Sequence, residues 1–236
     1  MIWVGTSGYN YPEWKGTFYP ETMPAAKMLP YYAERFDTVE INYTFYRTPT
    51  APILQAWDAA TPDRFRLTLK APKRITHDAR LRDCADDVRR FVEVASMLGP
   101  KLGVLLFQLP PNLKKDLVRL DGCLAALPSG TRAAFEFRHP SWFDEEVYAR
   151  LRAGRLALCI ADSEKLSTPP EVTAPYAYFR LRDEGYAPED IDRWADTIRE
   201  RTAGCGDVFV YFKHEESGKG PEFARRLLSA LAASPE

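Results

Sequence analysis

Short runs of β-branched and aromatic residues alternate along the chain with longer stretches whose apolar positions recur at helical spacing. Eight runs read as strands: residues 2–7, 38–42, 65–70, 102–108, 133–138, 156–162, 176–182 and 207–213. Helices are predicted over 24–36, 50–60, 84–98, 114–127, 143–153, 188–203 and 219–233. Strand and helix alternate almost throughout, which is the order of a parallel sheet with helical crossovers. The exception is SEKLSTPPEVTAP, between the sixth and seventh strands; polar and proline-rich, it predicts a helix reduced to a turn or missing. Eight parallel strands in 236 residues fit a closed (β/α)8 barrel of the TIM type better than an open doubly wound sheet, because GTSG at 5–8 is not a G-x-G-x-x-G phosphate turn. No linker, repeat or compositional break divides the chain, so one barrel domain over residues 1–236 is expected.

Alternation within each strand assigns the bulky aliphatic side chains to the helices and the other set to the barrel axis. That inward set is polar: Ser7, Glu40, Asn42, Arg66, Thr68, Lys70, Gln108, Glu136, Arg138, Tyr178, Arg180, Arg182, Tyr211 and Lys213. Most of these lie near the carboxyl ends of their strands, where barrel enzymes place their chemistry; Arg66 is expected too deep to join them. The stretch FEFRHPSW (135–142) shows the pattern most plainly, with Phe135 and Phe137 on one face and Glu136 and Arg138 on the other.

The inward bases Lys70, Arg138, Arg180, Arg182 and Lys213 outnumber the inward acids Glu40 and Glu136. Such an excess suits an anion, for which arginine offers a bidentate fork; it also suits a salt-bridge network that braces the barrel. Glu40 and Glu136 stand three strands apart, across the axis, as a pair able to act as acid and base. Loops after the second to fifth strands (NYTFYRTP, APKRITH, LPPN and HPSW) bring Tyr46, Arg47, His77, His139 and Trp142 toward the same mouth. Their aromatic rings would either stack on a planar ligand or pack the loops together.

Composition narrows the partners. With 32 basic and 33 acidic residues the formal net charge is -1, so no global positive field recruits nucleic acid or an anionic membrane. A small anionic substrate is favoured over a nucleic acid. The four cysteines are scattered without a C-x-x-C pair, which suits reduced thiols in a cytoplasm. The opening MIWVGTSG shows no secretory pattern and no apolar run is long enough to span a bilayer, so a cytoplasmic protein is expected. His77, His139 and His214 follow strands, but no H-x-x-x-H or H-E-x-x-H pair occurs, and neither a metal nor a cofactor is expected. Ser7 lacks a nucleophile elbow.

Taken together, GTSGYNYPEWKGTFYP (5–20), VEINYTFYRTP (39–49), KAPKRITH (70–77), LGVLLFQLPP (102–111), FEFRHPSW, YFRLR (178–182) and VYFKHE (210–215) resemble the domain of unknown function 72, or YecE-like, family. The resemblance runs over nearly the whole chain. It implies a TIM-type barrel, supplies no established reaction, and supports Glu40, Lys70, His77, Gln108, Glu136, Arg138 and Arg180 as site residues. Tyr9, Tyr43, Lys213 and His214 depart from the residues usual in the family at those positions.

Three functional classes stay open. The leading one is an enzyme, a hydrolase or an isomerase or lyase, acting by acid/base chemistry on a small phosphate-bearing or nucleotide-like anion. Glu136, Glu40 and His77 would be catalytic, and Lys70, Arg138, Arg180, Gln108, Asn42, Tyr46, His139, Trp142 and Tyr211 would bind the substrate. The others are a phosphodiester-cleaving or nucleic-acid-repair enzyme and a non-catalytic metabolite-binding protein.

Overall fold

All eight predicted strands form in the computed structural model, which describes residues 1–163, 165–216 and 218–233. They are β1 (Ile2–Ser7), β2 (Thr38–Ile41), β3 (Arg66–Lys70), β4 (Leu102–Gln108), β5 (Ala133–Glu136), β6 (Ala157–Asp162), β7 (Tyr176–Leu181) and β8 (Asp207–Phe212). Each pairs in parallel with the next, and β8 returns to β1 from Ile2↔Val208 to Thr6↔Phe212, closing the barrel. The helices are α1 (Ala25–Ala33), α2 (Tyr43–Tyr46), α3 (Ala51–Ala59), α4 (Ala85–Ala95), α5 (Leu117–Ala125), α6 (Glu145–Ala153), α7 (Pro188–Arg201) and α8 (Lys219–Ala232). The single turn α2 was not expected.

Among the described residues no helix joins β6 to β7. The segment instead runs back along β6, where the Thr168 amide donates to the Ala161 carbonyl at 2.8 Å. Farther along, Thr173 Oγ1 donates to the Leu156 carbonyl (2.7 Å) and accepts from the Leu158 amide (2.8 Å). Pro169 and Pro170 cannot donate a helical hydrogen bond, so this extended course satisfies the backbone where a helix would not. Glu164 of that segment, like Ser217 and residues 234–236 of the expected domain, lies outside the described residues.

The two faces of each strand separate as the alternation requires. Outward side chains such as Val39, Leu67, Phe107, Phe135, Ile160, Phe179 and Val210 join the helices in one apolar layer. The stack Phe107, Phe135, Phe137 and Trp142, with ring centroids 5.1, 6.3 and 4.6 Å apart, runs through that layer. Trp142 is therefore corrected from a mouth residue to a packing residue; its Nε1 donates to the Leu113 carbonyl at 2.7 Å on the helix side. Inside the barrel, Trp3 and Phe209 stack near the amino-terminal end, with Val104, Leu106, Ala134 and Cys159 among the side chains filling the interior. Arg66 lies over Trp3 at that same end, away from the carboxyl-end mouth. Tyr211 is also corrected: its hydroxyl bonds Thr38 Oγ1 (2.6 Å) and Thr68 Oγ1 (2.8 Å) in the barrel interior, below the mouth.

One contact shows how tightly β1 is set. The β1–β2 ladder covers only Thr6↔Val39 and Ser7↔Glu40, and below it the Tyr32 hydroxyl of α1 bridges the strands. It accepts from the Thr6 amide at 2.8 Å and donates to the Thr38 carbonyl at 3.1 Å. Gly5 leaves room for this bridge, since a Cβ there would sit 2.2 Å from the Thr38 oxygen and 2.9 Å from the Tyr32 hydroxyl. Tyr32→Phe removes the bridge but keeps the ring. It should cost about 1–3 kcal/mol of stability in urea denaturation, the penalty for buried backbone groups left without partners.

Candidate functional site

Arg180, at the carboxyl end of β7, is fully buried and reaches both inward glutamates. Its Nε and Nη2 meet Glu40 Oε2 and Oε1 at 3.0 and 2.8 Å, a bidentate pair, while Nη1 meets Glu136 Oε2 at 2.5 Å. Nη2 also donates to Ser7 Oγ at 3.2 Å. Glu40 accepts further from the Ser7 hydroxyl and, at 2.5 Å, from the Tyr178 hydroxyl. Asn42 Nδ2 donates to Ser7 Oγ at 2.9 Å, so its role is to orient that serine. Glu136 accepts from Gln108 Nε2 (3.0 Å) and from Arg138 Nε (2.7 Å), and Arg182 Nη1 stands 3.6 Å away.

Burial alone would raise both carboxyls, but the arginine charges and the donated hydrogen bonds outweigh it. Arg180, Ser7 and Tyr178 hold Glu40 below the usual carboxylate range; Arg180, Arg138, Arg182 and Gln108 hold Glu136 well below it. Both glutamates are thus ionised at neutral pH, buried and bonded on both oxygens. This disposition does not suit the acid/base roles expected of them, because a group that titrates far from the working pH transfers protons poorly. Arg180 likewise has no face left for a substrate.

Lys70 ends β3 and is buried, yet no carboxylate among the described residues lies within ion-pair distance of it. Its Nζ lies 4.1 Å from the centroid of the Phe45 ring. Burial, reinforced by Arg180 and Arg138 against the pull of Glu136 and Glu40, depresses its ammonium to about 7. His77 approaches the same Phe45 ring edge-on at 4.9 Å and is anchored through Nδ1 to Thr76 Oγ1 at 2.9 Å. Burial, then Lys70 and Arg138, push its imidazole below its ordinary value, so it is neutral near pH 7. The residue sits in a π-helical turn, Arg74–Asp78, followed closely by left-handed backbone at Arg80, Leu81 and Asp83. Strain of this kind, about 1–3 kcal/mol per residue, persists where packing such as that of the buried Leu81 enforces it.

A cavity of about 380 Å³ opens over Glu136, between the loops that follow β5, β6 and β7. Arg138, Arg182, Lys165 and Ser163 line it together with Glu184, Leu166 and Thr168. Among the described residues Arg182 Nε is buried with no hydrogen-bond partner, and Arg138 bonds Glu136 through Nε.

Of the expected site residues, the structure brings together Glu40, Glu136, Arg180, Gln108, Arg138, Lys70 and Asn42, with His77 at the edge. Tyr46 is 76% exposed, its ring against Phe45. His139 is drawn into its own loop, where Nδ1 bonds Ser141 Oγ at 2.9 Å and accepts from the Ser141 amide. Phe45 was missed; it is reached only because α2 turns the chain back over β3, where Thr44 Oγ1 donates to the Lys70 carbonyl at 2.6 Å. Arg182 and Tyr178 carried the inward signal without being chosen.

A closed (β/α)8 barrel with a charged cluster at the carboxyl ends of its strands is the class of protein that this geometry defines. The chain belongs to the family described as "Protein of unknown function DUF72", whose family model matches residues 3–236. It is 33% identical over 144 residues to the UPF0759 protein YecE of Escherichia coli, a match covering 61% of this chain and 50% of that protein. The match therefore spans half the length of that relative. It is 23% identical to the UPF0759 protein YunF of Bacillus subtilis, covering 98% of this chain and 95% of that one. Among solved structures, a DUF72 family protein of Thermotoga maritima superposes with a TM-score of 0.88 at 28% identity, covering 99% of this chain and 100% of the other. One from Enterococcus faecalis, at 20% identity and a TM-score of 0.81 over 99% and 98% of the two chains, shares the fold.

Two outcomes follow from the buried cluster. Arg180→Met leaves two carboxylates buried without their shared partner and should destabilise by roughly 3–5 kcal/mol in urea denaturation, as breaking a buried pair does. Because both glutamates titrate below their ordinary 4.5, their stabilisation is present above that pH and is lost as the pH falls through the depressed values. The wild-type urea midpoint should therefore drop steeply below pH 4.5.

Proposed function

We propose that the protein is an enzyme that binds a small anion at the carboxyl-end mouth and acts on it by acid/base chemistry, with Lys70 as the group that moves the proton. The observation that carries this reading is the pairing at the mouth. Arg180 neutralises much of the two glutamates, while Lys70, Arg138 and Arg182 keep N–H groups without hydrogen-bond partners among the described residues. Arg138 and Arg182 line one cavity over Glu136, and Lys70 stands close enough for the Arg138 charge to act on its ammonium; a carboxylate, phosphate or sulfate would balance that positive charge. A lysine titrating near 7 is matched to proton transfer at neutral pH. Glu136 has a positioning role, holding Arg138 and Arg182 over the cavity, and neutral His77 lies across Phe45 as a second hydrogen-bonding group.

A nucleic-acid strand would need cations beyond the mouth. A neighbouring cavity of about 550 Å³ does open beside Phe45 and Tyr46, but its Lys73 and Arg74 are paired with Asp78 and Asp87. A small substrate accords better with that arrangement.

Sulfate, which does not titrate near neutrality, should raise the melting temperature of the wild type, and Arg138→Ala should lose most of that rise. Binding the anion favours the Lys70 ammonium, so protons are taken up and affinity falls as the pH rises through about 7. Calorimetry in buffers of different ionisation enthalpy reads this uptake directly; Lys70→Met should abolish it. Equal sulfate stabilisation of wild type and Arg138→Ala would refute the anion site. Turnover of a stabilising metabolite, lost in Lys70→Met, would distinguish the enzyme from a metabolite-binding protein.

A further inference from the structure

Two lysines are buried among the described residues, and they are held in opposite ways. Lys101 donates to the Asp58 and Thr61 carbonyls at 2.7 and 2.8 Å and pairs with the Asp58 carboxylate at 2.9 Å, so its ammonium is fully occupied. Among the described residues Lys70 has no such ligands. Its backbone is fixed by the β3–β4 ladder at Lys70↔Leu106 and by the Thr44 hydroxyl, and its amine is left against the face of Phe45 at the barrel mouth. Burial and the neighbouring guanidiniums favour the neutral form of this amine, and they outweigh the cation–π attraction of the Phe45 face and the pull of Glu136 and Glu40. A neutral amine in that setting is a nucleophile.

We propose that Lys70 is a carbonyl-binding amine, condensing with the aldehyde or ketone of a small substrate whose carboxylate or phosphate is held by Arg138 and Arg182. The proposal rests on the anion site described above and adds a covalent step to it. The amine lone pair adds to the carbonyl carbon, forming a C–N bond and moving the C=O π electrons to oxygen. The carbinolamine then loses that oxygen as water, which carries away both amine hydrogens, and a C=N bond remains. Protonation of the imine by solvent gives an iminium, an electron sink for the bonds next to the former carbonyl carbon. No oxidant, metal or further reactant enters the balance. The depressed ammonium of Lys70 supports the step, since about half of it is neutral at pH 7.

The test is reductive trapping on the intact wild-type protein at pH 7. Glyoxylate, an anionic aldehyde, and propanal, a neutral one, are each added with cyanoborohydride, and modified lysines are located by peptide mass mapping. Lys70 should acquire its label at least about tenfold faster than the exposed Lys27 and Lys114, because an ordinary lysine is almost wholly protonated at this pH. Buried, fully bonded Lys101 should stay unmodified. Sulfate should slow the glyoxylate reaction at Lys70, and Arg138→Ala should remove the preference for glyoxylate over propanal. Fast labelling of Lys70 by both aldehydes, indifferent to sulfate and to Arg138→Ala, would uphold the amine and remove the anion site. Labelling of Lys70 no faster than Lys27 by either aldehyde overturns the amine.

Discussion

The guanidinium of Arg180 lies between Glu40 and Glu136 and bonds both, with its full side chain out of water. Two carboxylates placed inside a barrel repel each other and lose their hydration, so neither could stay ionised there alone. A planar cation with donors on several edges can meet one carboxylate side-on and the other end-on, which the compact ammonium of lysine cannot. Ser7, Tyr178 and Gln108 fill the remaining acceptor positions, and Asn42 orients Ser7. Five strands contribute to this knot: β1, β2, β4, β5 and β7. It ties the carboxyl end of the barrel together as the aromatic stack of Trp3 on Phe209 fills the other end.

Because those acids are committed to Arg180, the groups left over decide the chemistry. Arg138 and Arg182 lean on Glu136 from one side and keep donors without partners among the described residues; Lys70 stands on the other side of Gln108, on β3. Positive charge held close to a buried amine favours loss of its proton. The network therefore does two things together: it keeps the glutamates ionised and inert, and it leaves Lys70 as the group poised near neutrality.

Strand alternation is local, and it was enough to place Ser7, Glu40, Lys70, Gln108, Glu136 and Arg180 on the inner face from residue identity alone. The helices followed from apolar spacing, and the proline pair at 169 and 170 marked where one was absent. Depth along the axis was less legible. Tyr211 has the right parity but sits lower, since strands in a tilted barrel are staggered and equal positions in sequence do not lie at equal heights. Trp142 follows β5 yet continues the outward phenylalanine stack, because the turn Pro140–Trp142 folds it over Phe137. Which base takes which acid was not readable either. Five inward cations were visible, but that Arg180 takes both glutamates while Lys70 takes none depends on cross-barrel distances, and the role of Phe45 depends on a one-turn helix without a sequence signal of its own.

The central claim is that this charge network leaves one amine titrating near neutral pH. It is tested most directly by nuclear magnetic resonance of protein labelled with ¹³C at lysine Cε, following the Lys70 resonance, assigned by its absence in Lys70→Met, across pH. The account predicts a titration midpoint near 7. A Lys70 resonance that titrates at its ordinary 10.5, with the other lysines, would contradict it.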